Sequence, residues 1–101
     1  MKTDAVFAAL ADPTRRRLVE KLSHGPRCVT ELSEGLPVTR PAVSQHLKVL
    51  RGANLVRERR AGTRRYYSLE QRGFEAVRSW VDRMWDDALE AFRRKAEEDL
   101  P

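Results

Sequence analysis

Residues 39–69 read TRPAVSQHLKVLRGANLVRERRAGTRRYYSL, and this run decides the fold. Thr39 is a side chain that caps a helix start, and Pro41 is tolerated there because the first helical amides have no intrahelical partner. Val43, Leu47 and Leu50 then recur at i, i+4 and i+7, which predicts a helix over 39–53 with one buried stripe. Asn54 stands where a left-handed residue ends a helix. Two alternating runs follow, Leu55–Arg60 and Arg64–Leu69, around Ala61-Gly62-Thr63, which predicts a β-hairpin over 55–69. The hairpin tip is nearly all Arg, so it must project into solvent or onto something negative.

On the N-terminal side, Thr3–Leu10 reads as a short helix with Val6, Phe7 and Leu10 on one face. Asp12-Pro13 is a strong helix start, and the helix it opens runs to about Ser23 with Leu18, Val19 and Leu22 inward. Arg15, Arg16 and Arg17 then either touch flanking phosphates or form a solvated helix face. A third helix is expected from a Thr30 cap, carrying Leu32 and Leu36. On the C-terminal side, residues 71–97 read as one helix of about 40 Å. Phe74, Val77, Val81, Met84, Ala88 and Phe92 recur at spacings of three and four, with Trp80 and Trp85 widening the stripe. A helix this long outruns the core it would cover, which points to helix–helix dimerisation.

Composition sets the outer bounds. A chain of 101 residues supports one domain, 1–101, and 35% charged residues against 41% apolar leaves a small core under a crowded charged surface. Of the 20 basic residues sixteen are Arg, a bias that suits phosphate and guanine contacts and that a GC-rich genome would also produce. Position says more than composition. Residues 39–65 hold eight basic side chains (Arg40, Lys48, Arg51, Arg57, Arg59, Arg60, Arg64, Arg65) against Glu58 alone, while residues 66–101 are net acidic. Such segregation is the electrostatic footprint of nucleic-acid binding, and it also fits an acidic protein partner. No uncharged stretch exceeds seven residues, so no membrane contact is expected. The N-terminus does not read as a signal peptide, and one cysteine, Cys28, suits a reducing compartment; a cytoplasmic protein is expected.

Two short helices joined by a tight turn, the second polar on its exposed face, make a helix-turn-helix whose second helix fits the major groove. Thr39, Arg40, Ala42, Ser44, Gln45, His46 and Lys48 form the expected reading face: Arg pairs with guanine, Gln with adenine, and Ala meets a thymine methyl. Arg57, Arg59, Arg60, Arg64 and Arg65 form the expected wing contacts to phosphates or the adjacent minor groove. Catalysis has little to stand on, since neither histidine is placed by motif beside a nucleophile and Cys28 lacks a base partner.

Three runs carry a resemblance: ALADPTRRRL at 9–18, PAVSQHLKVL at 41–50 and GTRRYY at 62–67. Together they resemble the ArsR/SmtB family of bacterial winged-helix repressors over roughly residues 4–95. The resemblance implies a mainly α fold with a two-stranded β-hairpin wing, a winged helix-turn-helix forming a homodimer through its first and last helices. It also implies a repressor on a near-palindromic operator, usually near its own promoter, with Ser44, Gln45 and His46 in the contacting stretch and Arg64 and Arg65 on the wing. The expected dimer face comprises Val6, Phe7, Leu10, Val77, Trp80, Val81, Met84, Trp85, Ala88 and Phe92. Many members carry Cys-Val-Cys-Asp where this chain has Cys28-Val29-Thr30-Glu31, and others bind zinc through Asp and His on the last helix, which here holds no His. Neither a metal site nor a cofactor is therefore expected, and the identity of any small-molecule or metal effector stays open. Two alternatives stand beside the repressor: a metal- or thiol-responsive derepressor of the same fold using Cys28, and a winged-helix protein–protein adaptor.

Overall fold

The computed structural model describes residues 2–100. The elements run α1 (Lys2–Leu10), α2 (Pro13–Leu22), β1 (Arg27–Cys28), α3 (Val29–Ser33), α4 (Arg40–Gly52), β2 (Val56–Ala61), β3 (Arg64–Leu69) and α5 (Gln71–Glu98). Local chemistry accounts for most of the boundaries. Asp12 Oδ1 accepts from the amides of Thr14 (2.8 Å) and Arg15 (3.1 Å), so α2 starts on a capped end with Pro13 in its first position. Thr39 Oγ1 accepts from the Ala42 amide at 3.2 Å and opens α4. At the far end of α4, Asn54 takes φ 59°, and the Leu55 amide turns back to the Leu50 carbonyl at 3.0 Å.

Leu18, Leu22, Leu32, Val43, Leu47, Leu50, Leu55 and Val56 make one buried cluster between α2, α3, α4 and the start of the hairpin. The hairpin pairs Val56 with Leu69 through Ala61 with Arg64, and Gly62 turns it at φ 65°. Tyr67 on β3 is buried, its hydroxyl pushed above the usual tyrosine range by burial.

Four features differ from the sequence reading. The chain at Arg27–Cys28 is a third strand, pairing with Tyr67 and Tyr66 in a sheet of order β1-β3-β2. Because Cys28 is the last extended residue, α3 starts at Val29 with Cys28 rather than Thr30 as its cap, and Glu31 reaches back to the Cys28 amide at 3.2 Å. The same helix ends at Ser33, before Leu36, where Gly35 takes φ 75°. Finally, Arg15 and Arg16 are not simply a solvated face, because both donate to carbonyls that end α1: Arg15 to Ala8 and Ala9, Arg16 to Leu10 and Ala11.

The first turn of α5 is welded to the corner between α4 and β2. The Gly73 amide donates to the Asn54 carbonyl at 2.8 Å, and the Glu70 amide to the Leu55 carbonyl, also at 2.8 Å. A Cβ on Gly73 would stand 2.7 Å from the carbonyl oxygens of both Ala53 and Asn54, so only glycine permits the approach. Helix propensity alone would have Gly73→Ala stabilise the chain by about 1 kcal/mol. The close approach reverses the sign: we expect a loss of about 1–3 kcal/mol in thermal or urea unfolding. A stabilised Gly73→Ala variant would contradict this packing.

Candidate nucleic-acid interface

The exposed side of α4 presents Arg40, Ser44, Gln45 and Lys48, while Ala42 and His46 are half-buried at its edge. Thr39 is exposed, but its hydroxyl is engaged as the cap of α4. The buried stripe Val43, Leu47, Leu50 fixes this rotation, since turning α4 about its axis would expose three fully buried side chains. Val49, which the sequence reading passed over, is an exposed apolar side chain on the same helix.

His46 is tied down from outside its helix. The Arg15 guanidinium on α2 approaches His46 Nδ1 at 3.3 Å, while its other nitrogens hold the Ala9 carbonyl (2.5 Å) and the Ala8 carbonyl (3.2 Å) of α1. Asp12 is close enough to feel the ring, although its carboxyl is held below the usual range chiefly by the Arg15 amide.

The hairpin's arginines are not all free. Glu58 forms ion pairs with Arg51 Nη1 at 2.7 Å through one oxygen and with Arg65 Nε at 3.2 Å through the other, stitching the end of α4 to the wing. Arg57 lies 3.9 Å from Glu70, a looser pair. Arg59, Arg60 and Arg64 have no carboxylate within ion-pair distance among the described residues. Register puts Arg57, Arg59 and Arg64 on one face of the hairpin with Tyr66 and Ser68, and Arg60 and Arg65 on the other with Glu58. Positive charge therefore flanks the ribbon on both sides. Glu58 is the one acidic residue in the basic quarter, which was a signal in the sequence; its two partners come from separate elements and could not be paired by spacing.

The Cys28 thiol donates to the Glu31 carboxylate at 3.2 Å, and this contact, with the Cys28 amide and the nearby Arg27, holds that carboxyl below its usual range. Thr30 beside it is exposed. Among the described residues no three His, Cys, Asp or Glu side chains gather as a metal ion requires.

On α1 and α5 the expected dimer face divides. Val6 is turned into its own chain's core, 1% exposed, where α1 packs against α2, α4 and α5. Leu10 and Val77 are partly buried against the same core, and Trp80 meets Phe7 edge-on with ring centroids 5.3 Å apart. Beyond Trp80 the helix leaves the body: Val81, Met84 (51% exposed), Trp85 (59%) and Phe92 (67%) are open, with Ala88 half-covered between them. Leu89, absent from the expected face, is exposed there as well.

Comparison with known proteins agrees with this architecture. The profile of the family described as "Bacterial regulatory protein, arsR family" matches residues 12–58, which take in the helix-turn-helix and the start of β2. The HTH-type transcriptional regulator Rv2034 of Mycobacterium tuberculosis is 56% identical over 89 residues, covering 88% of this chain and 83% of that one. The chain belongs to the arsR family. This is a family of DNA-binding transcriptional regulators and not of enzymes. The transcriptional repressor SdpR of Bacillus subtilis, 32% identical over 76 residues, aligns with 75% of this chain and 84% of its own. A solved structure described as the homodimeric winged helix-turn-helix DNA-binding domain of a possible ArsR-family regulator from Mycobacterium bovis superposes with a TM-score of 0.68. It is 28% identical and covers 89% of this chain and 83% of that one. The arsR-family fold is thus a winged helix-turn-helix, mainly α with a short hairpin wing, and no helix among the described residues is long and apolar enough to cross a membrane.

In this arsR-family chain Glu58 neutralises part of the positive charge that α4 and the wing carry. Replacing it as Glu58→Gln releases Arg51 and Arg65. The expected result is tighter binding to duplex DNA at low salt and a slope of log K against log salt steeper by about one to two. Weaker binding would mean that Glu58 matters more for holding the wing than for masking charge.

Proposed function

We propose that this chain is a homodimeric transcriptional repressor that occupies a near-palindromic operator, its own promoter region being the first place to look. The observation that carries the reading is the separation of two surfaces: a basic polar face on α4 and the hairpin, and an uncovered apolar face on α5. Thr39, Arg40, Ala42, Ser44, Gln45, His46 and Lys48 read or position at the major groove. Arg59, Arg60 and Arg64 neutralise phosphates from the wing, with Arg57 and Arg65 contributing once their acidic partners yield.

The apolar arc of α5 from Trp80 through Met84, Ala88, Val81, Phe92 and Trp85 to Leu89 covers about half the helix circumference at about 100° per residue. One neighbouring helix fills a narrower stripe, so the face suits two, the α1 and α5 of a second copy. The homodimeric state of the M. bovis domain supports a two-chain assembly. A two-fold axis there brings two α4 helices to half-sites about one helical turn apart, roughly 10 bp. We read repression as steric exclusion at a promoter; that this chain represses is supported by SdpR, a relative named a transcriptional repressor.

The metal chemistry associated with some relatives does not fit the donors present. A soft-metal site needs two or three thiolates or imidazoles around one ion, and here Thr30 stands between Val29 and Glu31 while the Cys28 thiol is occupied with Glu31. We read Cys28 as the end of β1 and the cap of α3, and the regulator as one of a subgroup without these metal sites.

The test is binding to the chain's own upstream DNA, titrated in salt, by fluorescence anisotropy. Gln45→Ala should relax choice at one base position at a cost of about 1–3 kcal/mol. Arg64→Ala should weaken all sequences alike and lower the salt slope by about one. Equal binding of upstream and random duplex by the unsubstituted protein would overturn the operator assignment, and no binding at moderate salt would favour an adaptor that docks on acidic protein.

A further inference from the structure

The Arg15–His46 contact carries a consequence beyond holding two helices together. A guanidinium has five N–H donors and no acceptor, and it stays charged in proteins. The Nδ1 of His46, 3.3 Å from Arg15 Nη1, must therefore offer its lone pair, and the ring proton must sit on Nε2. The guanidinium is itself not free to swing. Its Nε and Nη2 are bound to the carbonyls of Ala9 and Ala8 in the last turn of α1, where the helix dipole favours a cation; the Ala8 carbonyl also accepts from the Ala11 amide at 3.3 Å. Arg15 cannot follow the ring without leaving α1.

The two ring nitrogens face away from one another, so fixing Nδ1 toward α2 directs Nε2–H away from it. His46 is half-buried at the edge of the exposed α4 face, next to Gln45 and one position before the fully buried Leu47. Among the described residues Nε2 has no hydrogen-bond partner in its own chain. An oriented N–H with no internal partner meets either a base-edge acceptor or a backbone phosphate oxygen; the half-buried place of His46 at the edge of the face, beside the exposed Arg40, Ser44, Gln45 and Lys48, favours the phosphate, the contact that sets register.

We infer that Arg15 is a positioning residue for DNA binding: anchored on the end of α1, it locks His46 as the Nε2–H tautomer so that His46 donates to a backbone phosphate. This rests on the DNA-binding reading above. It gives α1, which the proposed dimer holds, a direct mechanical link to the middle of α4.

The experiment is a double-mutant cycle on affinity for a duplex bound by the unsubstituted protein, with the folded fraction of each variant checked by thermal melting. Arg15→Met and His46→Ala should each weaken binding about tenfold, the size expected for one hydrogen bond to a charged group. In the His46→Ala background, Arg15→Met should cost less than about twofold more, because Arg15 acts through the ring. His46→Gln, whose amide can donate from the place of Nε2, should keep most of the affinity and lose its dependence on Arg15. His46→Asn, whose amide falls at the place of Nδ1, should bind like His46→Ala.

Equal losses from Arg15→Met in both backgrounds would overturn the inference, making Arg15 a direct phosphate contact or a helix cap only. So would full affinity in His46→Ala, or His46→Asn outperforming His46→Gln. In each of those cases a continued loss on Arg64→Ala would leave the DNA-binding reading standing. If Arg15→Met melts too low to assay, Arg15→Lys serves in its place, since it retains a cation at the end of α1 without the fork that spans to His46; its expected pattern across the cycle is the same. Failure of the unsubstituted protein to bind any duplex would instead sink the DNA-binding reading and this inference with it.

Discussion

The close approach of Gly73 to the Ala53 and Asn54 carbonyls sets the direction in which α5 leaves the body. Asn54 reaches that corner only because it accepts a left-handed backbone at the end of α4, so one turn fixes both the last residue of the reading helix and the first turn of the long one. Everything beyond follows from geometry. A 28-residue helix is about 42 Å long, while the cluster it stands on spans a few helix diameters. The chain accordingly measures 70 × 26 × 24 Å, with a radius of gyration of 18.6 Å against about 13 Å for a compact domain of this size. The excess is helix without a neighbour.

Charge is arranged with the same economy. The basic quarter of the sequence folds into α4 and the hairpin, and one carboxylate, Glu58, ties them to each other through Arg51 and Arg65. These pairs are partly open to solvent, so their value lies less in stability than in geometry. They hold the ribbon beside α4, while Arg59, Arg60 and Arg64 have no carboxylate within ion-pair distance among the described residues. On the opposite side of α4, Arg15 performs a comparable service for His46 from the end of α1. The reading helix is therefore braced at His46 by α2 and at Arg51 by the wing, and both braces are charged groups with a second anchor.

Where one local rule sufficed, the sequence was readable. Asp12-Pro13, Thr39, Asn54 and Gly62 each bring a backbone requirement that few residues meet, and the Val43, Leu47, Leu50 spacing permits a single rotation of α4. The misses are non-local. β1 is two residues long and exists only because β3, some forty positions later, supplies its hydrogen bonds. That pairing moved the cap of α3 from Thr30 to Cys28. Val6 and Phe7 are adjacent on α1, and that Val6 enters the core while Phe7 meets Trp80 is set by the helices packed around α1, which no periodicity in α1 records. The Arg15–His46 contact spans 31 positions; Arg15 stood out only as one of three consecutive arginines. Glu58 could have been singled out as the lone acid among eight basic residues, though not matched to its partners.

The central claim is that the uncovered face of α5 is completed by a second copy of the chain. Sedimentation equilibrium of the 101-residue chain, over a range of concentrations and without DNA, tests it most directly. The account predicts a species of about 23 kDa, twice the 11.7 kDa chain, persisting into the low micromolar range. A mass of one chain throughout that range would contradict it.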